Sequence, residues 1–137
     1  MSKISPRHRA RECALQALYS WLMSQNDVAD VEVAFMLEQE MKDVDVPYFR
    51  TLLQNTVQYE DELKAHIEPH LDRTFKSLDP IERVLLLMAT YELTYQDVPY
   101  KVVINEAVEV AKTFGAEDGH KYINGVLDKI AQTQQNK

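Results

Sequence analysis

The stretch Asp79-Pro80-Ile81-Glu82-Arg83-Val84-Leu85-Leu86-Leu87-Met88-Ala89 decides the fold. Asp79 and Pro80 read as an N-cap followed by proline at the first helical position, and Glu82 stands where a capping-box acid belongs. Every residue from Val84 to Ala89 is apolar, so most of the helix circumference avoids water. A helix of that kind is a buried one. No part of the 137-residue chain approaches the ~20 apolar residues of a membrane span, so this segment reads as the central helix of a small bundle.

Working outward, amphipathic helices flank it on both sides. Ser5-Pro6 opens a first helix in which Ala10, Ala14, Ala17, Leu18, Trp21 and Leu22 share one face. On that wheel Arg7 and Arg11 fall together while Arg9 points away, so the three arginines surround the helix start. A second helix is expected over 30–42, burying Val31, Ala34, Phe35 and Met41. Asp45 and Pro47 open a third, whose Phe49, Leu52, Leu53, Thr56, Leu63 and Ile67 keep helical spacing as far as Pro69. A short helix around 71–76 follows. Past Pro99 the pattern predicts a helix over 101–114 with Val103, Ile104, Ala107, Val108, Ala111 and Phe114 inward and Gly115 as its C′ glycine. Asp118 caps the last, whose inner side holds Tyr122, Ile123, Val126, Leu127 and Ile130. Gly125 within it costs about 1 kcal/mol relative to alanine. Close helix packing is the usual reason for such a glycine, and ligand approach to the backbone the rarer one.

Composition agrees with an all-α, single-domain chain. Apolar residues make up 45%, enough for a core, and three glycines are too few for the turns of an all-β sandwich. With only Cys13, no intrachain disulfide forms, and a reducing, cytoplasmic home is the simplest reading. The basic start followed by apolar residues lacks the small-residue cleavage site of a signal peptide. One domain over 1–137 is expected, with flexible ends at 1–5 and 132–137. The net charge of −7 is uneven: residues 1–12 carry +3 from Lys3, Arg7, Arg9 and Arg11 against Glu12, and the remainder carries −10. A basic arm on an acidic body holds nucleic acid locally or is merely solvated.

No catalytic grouping emerges. Cys13 lies among alanines and reads as a structural thiol. His66 and His70 have metal-pair spacing, but Pro69 breaks the helix between them and no further ligands stand nearby. Glu106 and Glu109 read as a solvated face. Phosphate loops and hydrolase motifs are absent, so neither an enzyme nor a cofactor is expected. Tyr19 lies far from the Trp21 stripe; it stacks a base, anchors a partner, or packs half-buried on a neighbouring helix. Tyr122 beside Lys121 offers another aromatic–cation pair.

Several stretches resemble the NusB family of bacterial transcription antitermination factors. They are residues 9–19 (Arg-Ala-Arg-Glu-Cys-Ala-Leu-Gln-Ala-Leu-Tyr), 98–107 (Val-Pro-Tyr-Lys-Val-Val-Ile-Asn-Glu-Ala), 111–118 (Ala-Lys-Thr-Phe-Gly-Ala-Glu-Asp) and 120–128 (His-Lys-Tyr-Ile-Asn-Gly-Val-Leu-Asp). Asp79 to Leu86 is similar to the family's central helix. The resemblance implies two small helical subdomains, about seven helices in all. It implies binding of the single-stranded boxA element of ribosomal RNA transcripts together with NusE, a small-subunit ribosomal protein, and assembly with NusA, NusG and RNA polymerase. It implies RNA contacts from the basic start (Lys3, Arg7, Arg9, Arg11) and from Asp118, Lys121 and Tyr122, and NusE contacts from Tyr19 and Glu82. Two positions depart from the pattern: Tyr122 replaces a common phenylalanine, and Leu87 stands where an RNA-contacting arginine is frequent. The rival readings are the RNA-binding domain of certain ribosomal RNA methyltransferases, whose cofactor domain is missing here, and a protein-interaction bundle without RNA.

Overall fold

A computed structural model describes residues 4–115 and 118–135, so Lys3 lies outside the described residues. Among these, the chain forms seven α-helices and no strand: α1 (Pro6–Ser24), α2 (Val28–Glu38), α3 (Val46–Gln58), α4 (Glu60–Ile67), α5 (Pro80–Tyr95), α6 (Tyr100–Phe114) and α7 (Gly119–Gln135). The starts follow the local chemistry. Ser5 Oγ accepts from His8 N–H at 3.0 Å, Asp45 from Tyr48 N–H at 3.1 Å, and Asp79 from Ile81 N–H at 2.9 Å, satisfying otherwise orphaned helix donors.

Several boundaries differ from the sequence reading. The second helix begins at Val28, capped by Asp27, and ends at Glu38 rather than near Lys42. The third periodic run is two helices, broken at Tyr59, which closes α3 and opens α4. Apolar residues keep helical spacing across that break, which is why the pattern concealed it. The expected helix at 71–76 is instead a pair of 3₁₀ turns, Glu68–His70 and Phe75–Ser77. Gly115 has a φ of −91°, so it is no left-handed C′ residue. A Cβ there would sit 2.7 Å from the Ala111 carbonyl oxygen, and close approach is what requires glycine. The left-handed cap falls at Gln25, φ 61°, whose N–H bonds to the Trp21 carbonyl. Gly125 has nothing within 4 Å of a built Cβ and is exposed, so helix packing is not its reason. The last helix runs on to Gln135, past residue 132.

Helices α1, α2 and α3 pack on one another, as do α5, α6 and α7, with α4 against α5. Helix α5 also meets α1 and α3, joining the two groups through one core. From Val84 to Glu92 every residue of α5 is buried, and each leucine there contributes about 1.5–3 kcal/mol by leaving water. Where the end of α5 meets the α3–α4 junction, three tyrosines stack: Tyr59 on Tyr95 at 4.9 Å and Tyr91 on Tyr95 at 5.5 Å between centroids. Among the described residues no helix is long and apolar enough to cross a membrane.

Candidate functional site

The first turns of α1 lie against the start of α3. Asp45 N–H donates to the Pro6 carbonyl at 3.0 Å, fixing the two helix starts together. Arg7 and Arg11, on one side of α1, both lie over the Tyr48 ring, at 4.2 and 5.5 Å from its centroid. Their fates differ. Arg7 is exposed, whereas Arg11 is 3% exposed and donates to both Glu92 oxygens, Nε to Oε1 at 2.8 Å and Nη2 to Oε2 at 2.9 Å. Tyr48 Oη donates to the same carboxylate at 2.5 Å. The expectation that Arg11 meets RNA is corrected by this geometry: its fork is occupied inside the protein by a buried carboxylate. Burial alone would lower the Arg11 pKa, but the bonds to Glu92 and its charge outweigh that and raise it. Burial first, then the Glu92 charge and bond, push the Tyr48 phenol well above its ordinary range.

Arg9 points away from Tyr48 and is exposed, lining a shallow depression with Cys13, Gln39, Glu40 and Asp43. Burial pushes the Cys13 thiol up, with Glu12 adding to the effect, which suits a structural cysteine rather than a nucleophile. Glu106 is not on a solvated face: half-buried, it bonds to the His8 ring and lies 3.5 Å from Arg11 Nη1.

A second cluster forms at the start of α7. Asp118 and Lys121 are exposed and 3.5 Å apart. Tyr122 is half-buried; its Oη donates to Asp72 Oδ1 at 3.1 Å, and the Arg73 guanidinium lies over its ring at 4.7 Å. Arg73 Nε in turn donates to Asp72 Oδ1 at 2.8 Å. Bonds from Arg73 and Tyr122 hold the Asp72 carboxyl below its usual value. Glu82 joins this cluster: a Cβ on Gly119 would come 2.8 Å from its Oε1. Its carboxylate therefore rests on the α7 backbone instead of closing a capping box, and burial, with Asp79 beside it, pushes its pKa up.

Tyr19 is 37% exposed and lines a groove of about 500 Å³ between α1, α2 and the start of α5. Ala34, Phe35, Ile81 and Phe114 supply its apolar lining, and Asp30 and Glu38 its acids. Ile81 thereby links the groove to Glu82 next to it in the chain. Leu87 is 1% exposed, so that position offers RNA no contact. Sequence reasoning missed Tyr48, Glu92, Asp72 and Arg73. One signal was present: Glu92 lies seven residues after Leu85, on the same face of a helix whose middle is apolar, and a carboxylate on a buried face needs a partner.

An all-helical bundle whose rim pairs arginines with tyrosines, beside an apolar groove edged with acids, has the make-up of a binding module. Comparison with known proteins agrees. The NusB family model matches residues 8–132. A transcription antitermination protein NusB from Actinobacillus succinogenes is 65% identical over 94% of this chain and 92% of its own length. One from Haemophilus ducreyi is 62% identical over 94% and 95%. A solved complex of antitermination factors NusB and NusE with double-stranded RNA contains a chain that superposes with a TM-score of 0.85. That chain is 26% identical, covering 93% of this chain and 97% of that one. The chain belongs to the NusB family.

Proposed function

We propose that this chain is a transcription antitermination factor that binds RNA together with NusE. Its RNA target is the single-stranded boxA element of ribosomal RNA transcripts, and the loaded complex joins NusA, NusG and RNA polymerase to suppress premature termination. The observation that carries this reading is the 65% identity, over 94% of the chain, to a relative named for antitermination. The chain acts in the cytoplasm, by binding and not by catalysis.

Geometry supports a division of labour. Exposed Arg7 and Arg9, with Lys3 before them, meet phosphates; Asp118, Lys121 and Tyr122 form the second RNA patch, combining charge with an aromatic face as single-stranded RNA recognition requires. Arg11 serves by holding α1 in place. The Tyr19 groove takes NusE, together with Glu82, which follows the groove residue Ile81 in the chain; the groove acids Asp30 and Glu38 suit a basic ribosomal protein and speed its association. A tyrosine anchor in such a groove contributes 2 kcal/mol or more.

Calorimetry with purified NusE and a boxA oligonucleotide tests this. Tyr19→Asp is expected to reduce NusE binding severely, to leave RNA binding by the isolated chain nearly intact, and to abolish antitermination in a reconstituted transcription reaction. Wild-type NusE affinity in that variant places the interface elsewhere. A duplex of the same sequence forms the control arm, and tighter binding to the duplex than to the single strand refutes the single-stranded reading.

A further inference from the structure

We propose that Tyr48 is a positioning residue for RNA binding: its buried ring is the platform over which Arg7 is held ready for a phosphate. The proposal rests on the reading of the α1 start as an RNA-contacting arm. Tyr48 is 6% exposed and fixed at both ends. Its backbone N–H is capped by Asp45 at 3.1 Å, and its hydroxyl donates to Glu92 Oε2 at 2.5 Å. Its ring is thus held within the core, while the exposed Arg7 guanidinium sits 4.2 Å from the centroid.

Charge placement makes the platform useful. Glu92 spends its two oxygens on Arg11 and Tyr48, so the carboxylate nearest this cluster neutralises the buried arginine and not the exposed one. Among the described residues Arg7 forms no ion pair. A cation over an aromatic face keeps its N–H edges available for a bidentate phosphate contact. An arginine already held there loses less rotamer freedom on binding than a free one. Tyr48 and Arg7 are 41 residues apart in sequence, so no motif on α1 encodes the arrangement.

The test is fluorescence anisotropy of the complex with NusE on a labelled single-stranded boxA oligonucleotide, across a salt series. Arg7→Ala is expected to weaken binding about tenfold and flatten the log–log salt slope by roughly 0.7. Tyr48→Phe keeps the ring and binds within twofold of wild type; Tyr48→Leu reproduces the Arg7→Ala loss and the flatter slope. The double variant Tyr48→Leu/Arg7→Ala loses nothing further, which a general weakening of the fold does not produce. Additive losses, or wild-type affinity in Tyr48→Leu alongside a weakened Arg7→Ala, overturn the positioning role and leave the RNA arm standing. Wild-type affinity in Arg7→Ala overturns the positioning role, and wild-type affinity in Arg7→Ala/Arg9→Ala overturns the RNA arm as well. Where Tyr48→Leu fails to fold, Arg7→Lys carries the test with the core intact. It keeps the charge but not the planar group that stacks on a ring, so a severalfold loss is expected and wild-type affinity refutes the platform.

Discussion

Two places in the molecule set an arginine over a tyrosine, Arg7 on Tyr48 and Arg73 on Tyr122, at 4.2 and 4.7 Å. Each tyrosine hydroxyl donates to a carboxylate, Glu92 in the first case and Asp72 in the second. The difference is which arginine that carboxylate also holds. Glu92 is 2% exposed and grips Arg11, which also lies over the ring, leaving Arg7 to the solvent. Asp72 is exposed and grips Arg73 itself. Similar parts therefore give a buried anchor with an available cation on one side and a self-neutralised surface pair on the other. A guanidinium near an aromatic ring is not a binding group until its counter-ion has been located.

Stability separates the two regions most sharply. Glu92→Ala leaves the Arg11 charge buried without a partner and is expected to destabilise the fold by about 3–5 kcal/mol in urea unfolding. Asp72→Ala, at a solvent-screened pair, is expected to leave the melting temperature unchanged. Equal losses from the two variants erase the contrast.

RNA affinity sharpens the second region. If Tyr122 offers a base the ring face that Arg73 does not cover, Tyr122→Ala costs about 1–3 kcal/mol of binding. Its melting curve must then stay close to wild type, since Tyr122 also packs against the core; a parallel fall in stability assigns the residue to packing. A smaller effect runs the other way. Asp72→Ala releases Arg73 and is expected to tighten RNA binding severalfold, with a steeper salt dependence. Unchanged affinity means that Arg73 does not face the RNA.

The smallest effect concerns Glu82. Its folded pKa lies above the ordinary 4.5, so the stability it contributes is present below that value and is lost as pH rises through the folded pKa. Glu82→Gln should melt slightly above wild type at pH 7, with the gap closing near pH 4. A gap that widens on acidification reverses the assigned sign.

Much of the architecture was legible because it is written locally. Ser5, Asp45 and Asp79 announce helix starts by side-chain chemistry within three residues, and the run from Val84 to Ala89 permits no position but the centre. The groups that reach the surface could be named from the chain; the groups that set their availability could not. Arg11 bonds to Glu92 across 81 residues and Tyr122 to Asp72 across 50, and helical periodicity carries no information over such separations. The wheel placed Arg7 and Arg11 together correctly, yet the depth of each depended on what α3 and α5 bring to that side. Tyr59 escaped for another reason: α3 and α4 meet there without proline or glycine, so no punctuation marks the break.

The tyrosines at that break give the molecule an optical signature. Tyr59, Tyr91 and Tyr95 lie with ring planes 10–27° apart, a fixed chromophore array whose near-ultraviolet ellipticity survives only while side-chain packing does. Tyr59 ends α3 while Tyr91 and Tyr95 lie on α5, so the array spans both helical groups, whereas the single tryptophan, Trp21, sits on α1 within one of them. Ellipticity from the tyrosines therefore watches the seam between the two groups, and emission from Trp21 watches the interior of one of them. Superimposable transitions from the two signals are the mark of a core that melts as one unit.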